Sequence, residues 1–291
     1  WVATDGYVTV TRSDGTSFRT SPLNIGLESE LYTRFEEDGT KNTKTEEWFG
    51  QTIDGPAATM IKHLLDPSNS TKTPFKADPA KKKAAREVGF LPQTHIEKIS
   101  TPHEIRQSIS DYLAALLVRN PRYLEKLIRF NSDQLNTKNI IKNRSLDDML
   151  RLFELYRNRI YNSQIMVTRR TGSAEYLYAD GGIIVEEPWR QGHGVPFDMH
   201  APITPDIALQ ILPLPQETQV DLSIAIVGEV NNQGVARQNR IILGGANKFV
   251  FSRQSIPTKF IVENFGKPAP KNISLSVQGG KLTTRHFPNK K

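Results

Sequence analysis

The chain has 291 residues, near the upper size at which a single hydrophobic core keeps growing, so one large domain or two small ones fit it. Apolar residues make up 37%, charged 24% and aromatic 8%, which supplies a sizeable core and excludes a chain dominated by disorder. There is no cysteine, which excludes disulfides, thiolate metal centres, iron–sulfur clusters and thiol catalysis, and no apolar run approaches the roughly 20 residues of a membrane-spanning helix. A cytoplasmic protein with no membrane partner is expected. Trp1 is no initiator, so an N-terminal segment is expected ahead of it.

The formal net charge of +7 is unevenly spread: residues 1–70 sum to −5, 71–170 to +10, 171–230 to −8 and 231–291 to +10. Blocks of alternating sign can pack against one another or leave basic surfaces for a polyanion.

Along the chain, Tyr7 to Thr11 alternates apolar and polar, meets Ser13-Asp14-Gly15 and resumes at Thr16 to Arg19, which predicts a hairpin. Thr43 to Glu46 has capping-box form, and Phe49, Ile53, Ala57, Met60 and Leu64 recur at helical steps, interrupted at Gly55-Pro56. Residues 66–80 read as an exposed connection leading into Lys81-Lys82-Lys83. Thr101-Pro102-His103-Glu104 predicts a capped helix start, with Asn120-Pro121 ending or kinking that helix before a second one. A third helix is expected from near Ser145, with Met149, Phe153, Tyr156 and Ile160 inward.

After residue 162 the period changes. Gln164 to Arg170 and Ala174 to Ala179 read as a hairpin, with further strands at Ile183 to Val185, Leu209 to Leu214 and Val220 to Val227. Val235 to Phe251 reads as a late helix weakened by Gly244-Gly245, and little core-forming pattern follows Pro257. The expected architecture is α+β: an N-terminal hairpin, a central helical region and a C-terminal, mostly antiparallel sheet with a late helix. It forms one domain over residues 1–255, helical over about 45–160 and strand-rich over about 162–230, with a basic extension at 256–291.

Chemistry-bearing residues are sparse. His193, Asp198 and His200 form a His-x4-Asp-x-His cluster of metal-ligating types, and His193 and His200 with Asp180 are the candidate catalytic residues. The alternatives are an exposed loop for the histidines and a turn-holding role for Asp180. No P-loop, dinucleotide fingerprint or nucleophile elbow occurs, and no cofactor is assigned. Arg119, Arg122, Arg129, Arg169 and Arg170 lie in the basic block and are the candidate nucleic-acid contacts, since guanidinium pairs with phosphate and stacks on bases; Arg119 can equally close a helix end.

Several segments together resemble the domain of unknown function 4238 family. They are Phe18 to Ile25 with Glu28 and Leu31-Tyr32-Thr33, the helix from Glu46 to Leu64, Arg119-Asn120-Pro121, Tyr176 to Ile183, Ala201 to Pro205, and Asn239 to Ala246 before Phe251-Ser252. In that family a His-His-Tyr-Val-Pro-Gln segment precedes the position of Trp1, and an Asn-Pro stands at Gly181-Gly182. The resemblance implies a shared mixed α/β fold of bacterial type and carries no established reaction. Contact with RNA or DNA through the basic surfaces is therefore expected on charge alone, with a nuclease-like defence role open. The alternative is a non-enzymatic module that docks an acidic protein partner.

Overall fold

The computed structural model describes residues 5–22, 31–76, 79–87, 89–135, 137–185, 199–212, 221–254, 256–267, 273–278 and 281–286. The expected hairpin is formed by β1 (Val8–Arg12) and β2 (Ser17–Thr20), whose turn is held by Asp14 accepting from the Thr16 backbone N–H at 2.8 Å. A short pair, β3 (Arg34–Phe35) and β4 (Lys41–Asn42), leads to α1 (Lys44–Phe49), a π-helical turn at Gly50–Asp54 and α2 (Gly55–Leu65). Pro56 sits in the first turn of α2, where its missing N–H costs nothing, so the helix resets at the expected interruption.

Next come β5 (Ser70–Pro74), α3 (Pro79–Glu87) and β6 (His95–Ser100), then three helices, α4 (His103–Val118), α5 (Pro121–Ser132) and α6 (Lys138–Tyr161). The predicted caps are spent elsewhere. Thr43 donates to the Glu47 carboxylate at 2.6 Å, and Thr101 donates to the Leu222 carbonyl at 3.2 Å, tying the α4 entry to the sheet. Ser145 does not start the third helix; it is buried inside α6 and donates back to the Ile141 carbonyl at 2.7 Å.

The second half supplies β7 (Gln164–Arg170), β8 (Tyr178–Ala179), β9 (Ile184–Val185), β10 (Met199–Pro202), β11 (Ile207–Leu212) and β12 (Ile224–Val230). They are followed by α7 (Asn232–Gly245), β13 (Phe249–Ser252), α8 (Thr258–Asn264) and a hairpin of β14 (Ile273–Gln278) and β15 (Lys281–His286). The late helix is thus shorter than its apolar pattern suggested, because Phe249 to Ser252 leaves it to pair with β1 and β8. β7 and β8 are not a hairpin: they lie in different sheets.

The large sheet has the order β5-β6-β12-β7-β11-β10-β9, antiparallel throughout except for the parallel β12–β7 pair. β5 and β6 join it from the chain's first half; β5 is an edge strand with exposed polar side chains, which is why residues 66–80 carry no strand period. Successive residues of β7 face opposite layers. Ile165 and Val167 pack under α1, α2, α4 and α6 with Phe49, Met60, Leu113 and Phe153, whereas Met166 packs on the other face with Phe90, Tyr176 and Val235 of α7.

The second sheet, β2-β1-β13-β8, packs with α7 and α8 through Leu177, Ala179, Ile242, Leu243, Val250 and Ile261. Ile261 is fully buried, so packed structure continues past residue 255. Gly181 lies where β8 meets the end of α7: a Cβ there would stand 1.7 Å from the Gly245 carbonyl oxygen. Gly181→Ala is expected to destabilise by about 1–3 kcal/mol through overpacking, read as a fall in urea midpoint at unchanged m-value, while Gly50→Ala, in helical backbone with open space around its Cβ position, serves as a control.

Candidate functional site

Leu31 to Thr33, Arg119 to Pro121 and Tyr176 to Ile183, three of the segments that carried the resemblance, meet Asp54 and the turn after α7 at one junction, where α4 ends against β8. Asp180 places its carboxylate on three backbone N–H groups, of Asn247 at 2.7 Å, Lys248 at 2.6 Å and Phe249 at 3.1 Å. The turn held is therefore distant in sequence, not the local one expected of an Asp before Gly-Gly. Gly182 has φ 66° and lies against the Leu116 carbonyl of α4, where a Cβ would stand at 3.0 Å, and Asn120 donates to the Gly181 carbonyl.

Arg119 follows α4 and donates to both Asp54 carboxylate oxygens at 3.1 and 3.2 Å. Its guanidinium sits 5.7 Å from the Tyr32 ring and 5.1 Å from the Phe49 ring, and Tyr32 donates its hydroxyl to the Arg119 carbonyl at 2.6 Å. Asp54 exposes about half its side chain and Arg119 about a quarter, so the pair lies at the surface over a buried aromatic floor. Burial raises the Tyr112 and Tyr178 phenols, which sit near enough to Asp54 and Arg119 to feel their charges and stay neutral. The polar groups of Tyr32, Asp54, Arg119, Asn120 and Asp180 each meet another group of the fold, which ties α4, β8 and the turn after α7 together.

The remaining candidates separate. Arg169 is paired with buried Glu97 at 3.1 Å, and Arg170 with Asp206 at 2.5 Å, where Arg253 also binds at 3.2 Å. Arg129 is exposed on α5, and Arg122 lies in α5 with its side chain outside the described ones. His193 and Asp198 lie outside the described residues. His200 on β10 is buried opposite Gln210 of β11, with its ring 6.0 Å from that of Tyr176, and neither ring nitrogen has a hydrogen-bond partner among the described residues. Burial lowers its pKa, so the enclosed imidazole is neutral.

The match to known families follows this geometry. The family model for Protein of unknown function (DUF4238) matches residues 3–255, a span that contains the whole junction. This chain belongs to the DUF4238 family. No curated protein and no solved structure matches it. Within this family member, Tyr32, Asp54, Arg119, Asn120 and Asp180 to Gly182 meet at this one junction.

Two sets of residues escaped the sequence. Arg106 is buried and closes the end of α6, donating to the Tyr161 carbonyl at 2.8 Å and to the Ser163 carbonyl; burial pushes its guanidinium down to about 10. The other set is exposed on α5 and α6: Phe130, Ile140 and Leu155 stay 60, 54 and 42% accessible, and Lys126, Arg129, Arg144 and Arg151 are exposed on the same two helices, with Asp147 and Glu154 on the Ile140 side of α6 bound to Arg34 and Arg157. Arg144 and Arg151 share one carboxylate, Asp148, at 3.6 and 3.9 Å, and Asp148 already accepts from Asn131 of α5 at 3.1 Å. Lys126 and Arg129 have no acidic partner among the described residues. Exposed large apolar side chains were the available signal: at 140 and 155 they stand on the side of the α6 wheel opposite its buried stripe.

Two expectations follow. Asp180→Asn weakens a charged acceptor for three N–H groups and is expected to cost about 1–3 kcal/mol, measured by urea denaturation of the variant against wild type. For His200, burial lowers the folded-state value to about 3 from an ordinary 6.5. The unfolded chain therefore takes up a proton below 6.5 while the native chain does not, so the stability His200 contributes is present above pH 6.5 and is lost as pH falls toward 3. The slope is up to about 1.4 kcal/mol per pH unit; the fall in urea midpoint between pH 7 and pH 5 is expected to shrink in His200→Leu.

Proposed function

We propose that this protein is an interaction module that docks an acidic protein partner on the exposed face of α5 and α6. The observation that carries the reading is the mixture on those two helices: Lys126 and Arg129 have no acidic partner among the described residues, Arg144 and Arg151 share Asp148, and Phe130, Ile140 and Leu155 are exposed apolar groups large enough to anchor a partner. Phosphate contact alone uses the cations and leaves the aliphatic anchors unexplained. Arg119, Arg169 and Arg170, three of the five arginines proposed for nucleic acid, are engaged with Asp54, Glu97 and Asp206.

A second reading, contact with RNA or DNA, is favoured by one arrangement: Phe130, open for base stacking, directly follows exposed Arg129, within the +10 block. Salt separates the two. In fluorescence anisotropy with a labelled Glu/Leu peptide and a 20-nucleotide strand, apolar anchoring keeps peptide affinity within about tenfold between 50 and 200 mM salt. Four phosphate contacts cost the oligonucleotide roughly a hundredfold over the same range. Tighter oligonucleotide than peptide binding at 200 mM salt would overturn the protein-docking reading.

A further inference from the structure

Along its β5–β6–β12 edge the large sheet is covered on one side and, among the described residues, open on the other. On the side under the helices, Ile99, Ala225 and Val227 are buried. On the opposite side Thr71 and Thr73 of β5 are exposed, and Ile96 and Lys98 of β6 and Ile226 of β12 keep part of their surface open. The register sets these side chains on one face: Thr71 pairs with Lys98, Thr73 with Ile96, and Lys98 with Ile226. Phe75 continues the ladder, its N–H donating to the Thr94 carbonyl at 2.8 Å, so its ring, 44% accessible, stands on that same face.

α3 stands on the same side, over the inner strands. Its Ala85 packs with Phe90 and Met166, and the Phe90 ring lies against Gly228 of β12, where a Cβ would meet it at 2.8 Å. Lys83 and Arg86, three positions apart, are exposed on one face of α3. The open strands form a shelf with an aromatic ring at its rim, a lysine in its floor and a cationic helix at its back. Carboxylates are few here. Glu97 points to the covered side, where Arg169 and Lys72 hold it. Asp221 is near enough to Lys98 for their charges to interact, and Glu87 is the last residue of α3. Lys76, Lys83 and Arg86 form no ion pair among the described residues.

We infer that this shelf binds single-stranded nucleic acid, with a base stacked on Phe75 and phosphates set against Lys76, Lys83, Arg86 and Lys98. The inference is independent of the α5–α6 docking reading and adds a second surface elsewhere on the molecule. Cations spread along the shelf select a polyanion. The open sheet face with its aromatic ring selects unpaired bases, whose flat faces can lie on it, whereas a duplex keeps its bases stacked inside and offers only its backbone.

The test uses the full chain with three labelled probes, a 12-nucleotide oligothymidine strand, a 12-base-pair duplex and a polyglutamate peptide, in fluorescence anisotropy at 50 mM salt. The single strand is expected to bind about tenfold tighter than either other probe and to weaken by roughly tenfold or more at 200 mM salt. Phe75→Leu keeps an apolar side chain and removes the aromatic face, so it should weaken the single strand about tenfold and leave the duplex unchanged. Lys83→Glu with Arg86→Glu should abolish single-strand binding, with circular dichroism and urea midpoint unchanged because both side chains are exposed. Arg129→Glu, on α5, should leave it intact. The Glu/Leu peptide, titrated on the same variants, should bind the Phe75 and Lys83/Arg86 variants as it binds wild type, so failure at α5–α6 and failure at the shelf are read apart. Polyglutamate binding as tight as the strand, strand affinity insensitive to Phe75→Leu, or strand binding lost on Arg129→Glu overturns the inference.

Discussion

The carboxylate of Asp180 is the point on which the second half of the molecule depends. It collects three adjacent N–H groups at the turn between α7 and β13, donors that would otherwise be left over when a helix ends and a strand begins. By doing so it fixes where β13 starts, and β13 is the strand that joins β1 to β8. The glycines beside Asp180 then let β8 approach the α7 carbonyl at Gly245 and the α4 carbonyl at Leu116, so one short segment joins the small sheet, the late helix and the central helices. Arg119 and Asn120, at the end of α4, close the same junction from the other side.

The charge blocks of the sequence meet in the fold in a consistent way. The negative block 171–230 supplies Glu175 and Asp206, and the positive segments supply Arg170 and Arg253, which bind them where the end of β7 and the start of β11 meet the end of β13. Arg169 reaches Glu97 on β6 across β12. Part of the basic excess is consequently internal pairing.

The α+β class, the opening hairpin, the central helices and the interruption at Gly55-Pro56 were legible because each rests on local rules, either side-chain period or turn chemistry. What was hidden depends on long-range partners. β5 looks like linker because an edge strand needs no apolar face, and Thr101 looks like a cap until Leu222 comes within its reach. Phe249 to Ser252 continues a helical period on paper and becomes a strand only because β1 and β8 wait on either side. For the candidate residues the same limit holds: an arginine in a basic stretch reads as free, and only the fold reveals Asp54, Glu97 and Asp206 beside it. The exposed Ile140 and Leu155 were legible in principle, since their angular position on α6 opposes its buried stripe.

The strand order has a temporal consequence. β6, near residue 100, has β12, near residue 227, as its inner neighbour, and β1, near residue 10, has β13, near residue 250. Both sheets therefore close by contacts of very high sequence separation, which makes ring closure the slow step of folding. During synthesis α4, α5 and α6 emerge before most of the sheet that covers them, with Leu113, Met149 and Phe153 bare until β7, β11 and β12 arrive. The nascent chain passes through a stage at which its largest apolar layer is finished but uncovered, and that stage is where chaperone capture or aggregation competes with completion of the fold.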